Sequence, residues 1–387
     1  VLVLLSALLL AVGLIVVYAI SPALSAGSDL ASSYFVNKQL ISIGLGVIVF
    51  AIVAAVPLNK WPRMQQPLLI AAAIATLITL VTPVSPEYPA HRWIRLGGLS
   101  LQSVELVKFA LIVCLAVFLD KRIRQQAVSN LQTTLKPIVI GLAIVSMIVA
   151  ILQRDFGSAT VILAIVTAMT FVAGLPMKRV LQIGAVIAAA LLLFIVPFSY
   201  RRERITTFIN PEQDCQNAGY QACQALIAVG SGGLFGKGLA HSGQAYGYLP
   251  EAANDSIFAI AAEKFGFFGA TLLIFLLVAF FVRIKNIMER APDDFSRLLA
   301  TGVLAWLSTQ AFINIGSMIG LLPLKGITLP FVSAGGTSVV IIMAAVGLVF
   351  NISRYTSYTV KQGSNYENST IGGRQRRPHY APLSRRP

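Results

Sequence analysis

Apolar runs of about 17–25 residues can cross a bilayer as helices, and this chain is organised as about ten runs of that order. They fall at roughly 2–20, 38–56, 67–83, 104–120, 136–152, 157–175, 179–198, 256–282, 299–319 and 335–352. No soluble domain of any size fits between them. The pattern predicts an all-α polytopic membrane protein, a bundle of about ten transmembrane helices over residues 1–352, followed by a polar segment, 353–387. The chain opens on Val1 and is apolar at once, so a short leading segment reads as trimmed and the first run as a retained span. Ala23-Leu24-Ser25-Ala26 matches a signal-peptidase site only faintly, with no basic region ahead of it.

Composition agrees with this reading: mean hydropathy is +0.78, with 56% hydrophobic and 12% charged residues. The net charge of +15 has the sign of a nucleic-acid binder until it is mapped onto the spans. With the N-terminus in the cytoplasm and the spans alternating, Lys60, Arg63, Lys121, Arg122, Arg124, Lys136, Lys178, Arg179, Arg283, Lys285, Arg290 and Arg297 all fall in inner connections. The arginines of the tail join them, while the outer side is nearly balanced. This is the positive-inside distribution; it sets both termini in the cytoplasm and leaves no charge for nucleic acid to explain. From Ser353 the chain is rich in Gly, Ser, Asn, Arg and Pro, the composition of a disordered tail. Its arginines suit anionic headgroups, a cytoplasmic partner, or simply a solvated topogenic role.

Polar chemistry therefore has few places to sit. The largest outer connection lies between the seventh and eighth spans, about 199–255, and a loop of that length usually has a function. Within it ALIAVGSGGLFGKGLA reads as an amphipathic or re-entrant hairpin at the membrane surface, its glycines permitting tight turns and close backbone approach. The spacing is not a P-loop, and no strand precedes it. Cys215 and Cys223 share this loop and can form a disulfide in an oxidising envelope compartment; no histidine lies near either to suggest a catalytic thiol. Cys114, in the fourth run, reads as a small core residue.

Basic residues on the outer side run against the topology and need a reason. Arg92 and Arg95 flank Trp93 after the third span; Arg201, Arg202 and Arg204 follow the seventh; Lys237 lies in the Gly-rich segment; Lys325 lies in GLLPLKGITLP; Arg154 precedes the sixth. Brought together they would form a cationic rim suited to a diphosphate, arginine binding phosphate oxygens two at a time. Taken singly, each is accounted for by snorkelling to headgroups. Ionisable groups inside spans are costly. Glu105 and Lys108, three apart on one helical face, are expected to neutralise each other near the outer end of the fourth span. Glu263 lies about two turns inside the eighth, on the face of Asp255, while Lys264 points elsewhere; structural pairing is the favoured role for these groups. Asp155 either holds an arginine or caps the sixth helix.

Asp255 stands where the long loop enters the eighth run. It is well placed to cap that helix, with Asn254 and Ser256 as rivals; a base at a membrane–water boundary is the second reading. A helix N-terminus favours the charged form of an acid and apolar burial the neutral form, so the residues alone leave the choice open.

Six separated segments, in order, carry a resemblance: HRWIRLGGLSLQSVELVKFALI, LQRDFGSATVIL, YRRERITTFINP, GYQACQALIAVGSGGLFGKGL, GYLPEAANDSIFAIAAEKFGFFGA and NIGSMIGLLPLKGITLPFVSAGGTS. Through them the chain resembles the SEDS family (shape, elongation, division and sporulation), the FtsW, RodA and SpoVE proteins of bacterial cell-wall synthesis, over nearly all residues up to about Arg354. KGITLPF and GYLPEA are more like the division branch, FtsW, than RodA. There are departures. Asn254 and Ser256 replace the family's threonine and bulky apolar residue around the aspartate, Ala334 turns the usual SYGG into SAGG, and QRDFGS and SVELVK replace QPDLGT and PSELAK. Asp255, the Glu105–Lys108 pair and Lys325 match.

The resemblance implies a SEDS transmembrane glycosyltransferase domain over 1–352 in the bacterial inner membrane. It implies an inverting peptidoglycan glycosyltransferase that polymerises lipid II on the extracytoplasmic side and releases undecaprenyl diphosphate, with a septal role in division and a RodA-like elongation role as the alternative. Asp255 is then the family-matched general base, and Arg92, Arg95, Arg201, Arg202, Arg204, Lys237 and Lys325 the residues that would steady the diphosphate. A divalent cation, Mg2+ or Mn2+, could share that task, although no spacing marks a metal site. The partners implied are lipid II, a class B penicillin-binding protein transpeptidase (FtsI-like), other divisome proteins and membrane lipids. Two other classes fit the same residues: a lipid II flippase, and a non-catalytic scaffold for the transpeptidase.

Overall fold

The apolar runs become helices in a computed structural model of the chain, which describes residues 1–26, 31–82, 93–96, 99–176, 178–179, 182, 184, 215–217, 219–239, 241–334 and 336–356. The helices are α1 (Leu2–Ala26), α2 (Tyr34–Ala55), α3 (Trp61–Val81), α4 (Ser103–Arg124), α5 (Lys136–Met147), α6 (Phe156–Val172), α7 (Tyr220–Ser231), α8 (Ile257–Glu289), α9 (Asp294–Met318) and α10 (Thr337–Ser353). In hydrocarbon every backbone polar group needs a partner, and a helix supplies them within the segment. Among the described residues six helical segments are long and apolar enough to cross a membrane, and α6 and α10 are shorter apolar helices. Ile48, Ile52, Ile70 and Leu77 face outward, as lipid-facing positions do, while Trp306, Phe280, Leu9 and Ile162 are fully buried. The protein is a helical, multi-pass membrane protein. Most of the seventh expected run, 179–198, lies outside the described residues, as does the polar segment from 357 onward.

Helix ends follow local chemistry. Proline sits in the first turn of α3 and α5, where its missing N–H costs nothing. Asp293 caps α9, its carboxylate accepting from the Ser296 amide at 2.7 Å. Lys121, Arg122 and Arg124 occupy the last turn of α4, where the helix dipole favours cations. Wider π-type turns flank α5 at Leu131–Leu135 and Ile148–Leu152.

α9 is the central helix, packed against α4, α6 and α8, while α10 lies along α2. A side chain at Gly347 would meet the Phe50 carbonyl at 2.7 Å, so α2 and α10 touch backbone to backbone. The connection after α3 is an antiparallel hairpin of β1 (Trp93–Leu96) and β2 (Leu99–Gln102), pairing Trp93 with Gln102 and Arg95 with Ser100. Thr337 at the start of α10 ties this hairpin down, donating its hydroxyl to the Ser100 carbonyl at 2.8 Å and accepting from the Gln102 amide at 3.2 Å.

Candidate functional site

The N-termini of α4, α6, α8 and α10 and the C-terminus of α9 meet at one end of the bundle, joined by polar contacts. Asp255 is half-buried there, just ahead of α8. The N-cap position of α8 is Ser256, one residue beyond Asp255. Ser256 in turn donates its hydroxyl to the Pro250 carbonyl at 2.9 Å and accepts from Gln221 of α7 at 3.2 Å.

Three successive carbonyls hold the Asp255 segment. The Ala253 oxygen accepts from the Ala334 amide at 2.8 Å, the Asn254 oxygen from the Ser333 hydroxyl at 2.6 Å, and the Asp255 oxygen from the Asn314 side-chain amide at 2.6 Å. The same Asn314 nitrogen donates to the Ile327 carbonyl at 2.7 Å. Ser333 also accepts from the Leu329 amide at 2.7 Å. The loop between α9 and α10 is therefore stitched to the entry of α8. Phe331 in this loop has φ +68, a costly conformation for a bulky residue, held by burial and by its edge-on contact with Phe280 at 5.0 Å.

Beside this clamp runs a buried network. Glu105 and Lys108 meet at 2.7 Å, both nearly inaccessible. Lys108 also donates to Gln310 at 2.9 Å and lies 5.1 Å from the centre of the Trp306 ring. Trp306 donates to the same Gln310 oxygen at 2.8 Å, and the Gln310 amide donates to the carbonyl and hydroxyl of Thr328. The cation is thus placed in the core with two acceptors and a ring around it, the condition under which buried charge is tolerated, while Oε2 of Glu105 has no hydrogen-bond partner among the described residues.

Asp155 caps α6, accepting from the Ser158 amide at 3.0 Å and hydroxyl at 2.8 Å. Lys325 is half-buried, its ammonium 5.7 Å from the centre of the Phe156 ring, which sets it at the start of α6. The strand carrying Arg95 is tied to α10 at the same end of the bundle. Arg92, Arg201, Arg202 and Arg204 lie outside the described residues.

Lys237 lies on the loop that faces α8 and is partly exposed. It pairs at 3.2 Å with Glu263, whose side chain is wholly buried. Glu263 also accepts from the Ser242 hydroxyl at 2.5 Å and the Gly243 amide at 3.0 Å. Lys264 donates to the Leu239 carbonyl at 2.6 Å, so it faces the same loop as Glu263. These contacts surround a break in α8 at Gly266 (φ 67, ψ −166). The backbone groups freed by the break pair with the Gly-rich segment: Phe267 and Phe268 donate to Gly233 and Leu234, while Lys237 and Gly238 donate to Glu263 and Lys264. A side chain at Gly236 would lie 2.2 Å from the Lys264 carbonyl, so the two chains approach as only glycine allows.

Cys215 and Cys223 are joined by a disulfide that pins the chain to the first turn of α7. Cys114 is half-buried, not a core residue. It lines an apolar cavity of about 180 Å³ between α4, α5 and α6, together with Leu111, Leu115, Ile138, Leu142 and Ile162.

Sequence reasoning passed over Gln310, Asn314, Thr328 and Ser333. Gln310 and Asn314, four apart in an otherwise apolar span, were the available signal: an amide buried in a span needs a partner. Among the described residues no group of three or more His, Cys, Asp or Glu side chains is arranged to hold a metal ion.

The comparisons agree with this architecture. Residues 1–358 match the family model FTSW_RODA_SPOVE, described as cell cycle protein. Stage V sporulation protein E of Bacillus subtilis is 35% identical over 358 residues, 92% of this chain and 97% of that protein. A probable peptidoglycan glycosyltransferase FtsW of Saccharophagus degradans is 37% identical over 356 residues, 90% of each. Among solved structures, a chain from a study of how a peptidoglycan synthase complex coordinates polymerization and crosslinking superposes with a TM-score of 0.72 at 25% identity, covering 91% of this chain and 96% of that one. The rod shape determining protein RodA of Thermus thermophilus gives 0.64 at 25% identity, over 92% and 97%. With the match spanning all ten described helices and the site at their shared end, the chain belongs to the FtsW/RodA/SpoVE family of cell cycle proteins.

Proposed function

We propose that this protein is a peptidoglycan glycosyltransferase of the bacterial inner membrane, polymerising lipid II on the extracytoplasmic side during septal wall synthesis, with both termini in the cytoplasm. Its relatives named as probable peptidoglycan glycosyltransferases support the activity. The observation that carries the reading is the clamp on residues 253–255, which holds a half-buried carboxylate ahead of its helix at the end of the bundle where Lys325 and the Arg95 hairpin also lie.

Asp255 takes the proton from the sugar hydroxyl of one lipid II as that oxygen attacks the anomeric carbon of another glycan. The new C–O bond forms as the bond to undecaprenyl diphosphate breaks. The leaving group departs with its electron pair and needs charge stabilisation, not a proton, and Lys325, Arg95, Arg92 and the arginines at 201, 202 and 204 supply it. Attack in line with departure, assisted by one base, inverts the anomeric centre. A crosslinking enzyme, a class B penicillin-binding protein, works beside it, as the solved synthase complex suggests.

The test is glycan yield from lipid II by the purified full chain in detergent, wild type against Asp255→Ala. Loss of polymer with an unchanged melting temperature is expected. Wild-type yield from the variant would leave the scaffold reading standing, and transport of labelled lipid II across vesicles without polymer would favour a flippase.

A further inference from the structure

We propose that Asn314 is a positioning residue of this reaction, with Ser333 as its second anchor: its amide ties the segment that carries Asp255 to the segment that carries Lys325. The inference rests on the reading of Asp255 as the base.

Asn314 is wholly buried near the C-terminal end of α9. Its amide nitrogen reaches the Asp255 carbonyl at 2.6 Å and the Ile327 carbonyl at 2.7 Å, which uses both protons of the NH2 group. The Ile327 amide donates to the Lys325 carbonyl at 2.6 Å, so the lysine is one tight turn from the clamp. One side chain therefore bridges residues from two loops that are far apart in sequence.

The clamp also decides where α8 begins. Carbonyls at 254 and 255 would normally accept amides of the first helical turn if the helix started earlier. Here Ser333 and Asn314 take them, and the first helical carbonyl is that of Ser256, which accepts from Ala259 and Ile260. Asp255 is kept ahead of the N-cap as a consequence. Moving a catalytic group by about 1 Å can cost about 10²-fold in rate, so side chains that never touch substrate can govern the chemistry.

The experiment compares Asn314→Ala, Ser333→Ala and Ser333→Thr, each alone and combined with Lys325→Ala, following lipid II polymerisation against pH in the purified full chain. Asn314→Ala is expected to lower kcat by about 10²-fold with KM within about threefold, and to move the acidic limb of the kcat profile. It is also expected to make the Lys325→Ala penalty smaller than in wild type, because coupled sites are not additive. Ser333→Ala should move in the same direction and Ser333→Thr should restore. An unmoved acidic limb with an additive Lys325→Ala penalty overturns the proposal, whatever the melting temperature does. Should Asn314→Ala fail to fold, Ser333→Ala and its combination with Lys325→Ala decide by the same criteria. An inactive Asp255→Ala beside unaffected Asn314 and Ser333 variants sinks this inference alone; an active Asp255→Ala sinks the base reading and this one with it.

Discussion

Glu263 and Lys237 meet at 3.2 Å beside the break in α8, and the carboxylate is wholly buried while the lysine keeps 39% of its side-chain exposure. The carboxylate is the fastening of the Gly-rich segment: it gathers Lys237, Ser242 and the amide of Gly243 onto one helix position. A helix broken inside a membrane protein needs its freed backbone groups re-paired, and this pair holds the segment that does so.

Replacing Glu263 with Ala should therefore destabilise the protein by about 3 kcal/mol, since removing one partner strands the others in a buried site. Lys237→Ala should cost clearly less, because the Ser242 hydroxyl and the Gly243 amide still hold the buried carboxylate. Melting temperatures in detergent check the order, and an equal loss from both would contradict it.

Gly266→Ala should cost on the order of 1–3 kcal/mol from backbone conformation alone. A Cβ there would also lie 2.3 Å from the Gly236 amide nitrogen. Thermal melting reads the loss; a variant as stable as wild type would argue against the break.

Lys108→Met should be strongly destabilising, by about 3–5 kcal/mol, because it leaves the buried Glu105 carboxyl without its cation. Combining it with Glu105→Gln should recover most of that loss. A double variant no better than the single one would show that Lys108 matters through Gln310 and not through the carboxylate.

Reducing the Cys215–Cys223 disulfide should lower stability by about 2.5 kcal/mol, the chain-entropy value for so short a loop. Polymer yield should fall with it, since α7 supplies Gln221 to Ser256 beside the proposed base. Melting and polymerisation with and without reductant, using Cys223→Ser as the insensitive control, decide this.

Lys325→Ala and Arg201→Ala should each lower kcat/KM for lipid II by about 10²-fold, the cost of losing one stabilising charge at a developing anion. Little change in melting temperature is expected from Lys325→Ala, since that lysine is only half-buried and such charges contribute little to folding. A large drop in melting temperature with unchanged use of lipid II would remove them from the diphosphate.

Much of this molecule was legible from local pattern. Hydropathy and length place α1 to α6 and α8 to α10, because a segment in lipid has almost no choice but to be a helix, but some ends run past the apolar stretch, as α1 does to Ala26 and α8 to Glu289. The spacing of Glu105 and Lys108 suffices to pair them, since residues three apart share a helix face. The break at Gly266 left no such trace: FGFFG is apolar on both sides of it, and only the approach of the Gly-rich segment explains the missing helical bonds. The pairing of Lys237 with Glu263, 26 residues away, likewise has no local signal. The seating of Asp255 depends on Asn314, 59 residues on, and on Ser333, 79 residues from the carbonyl it holds. Helix formation is decided within a few residues by burial and backbone pairing, so the chain determines it alone. Which carbonyl meets which amide across the bundle depends on how helices pack, and that only the tertiary structure could decide.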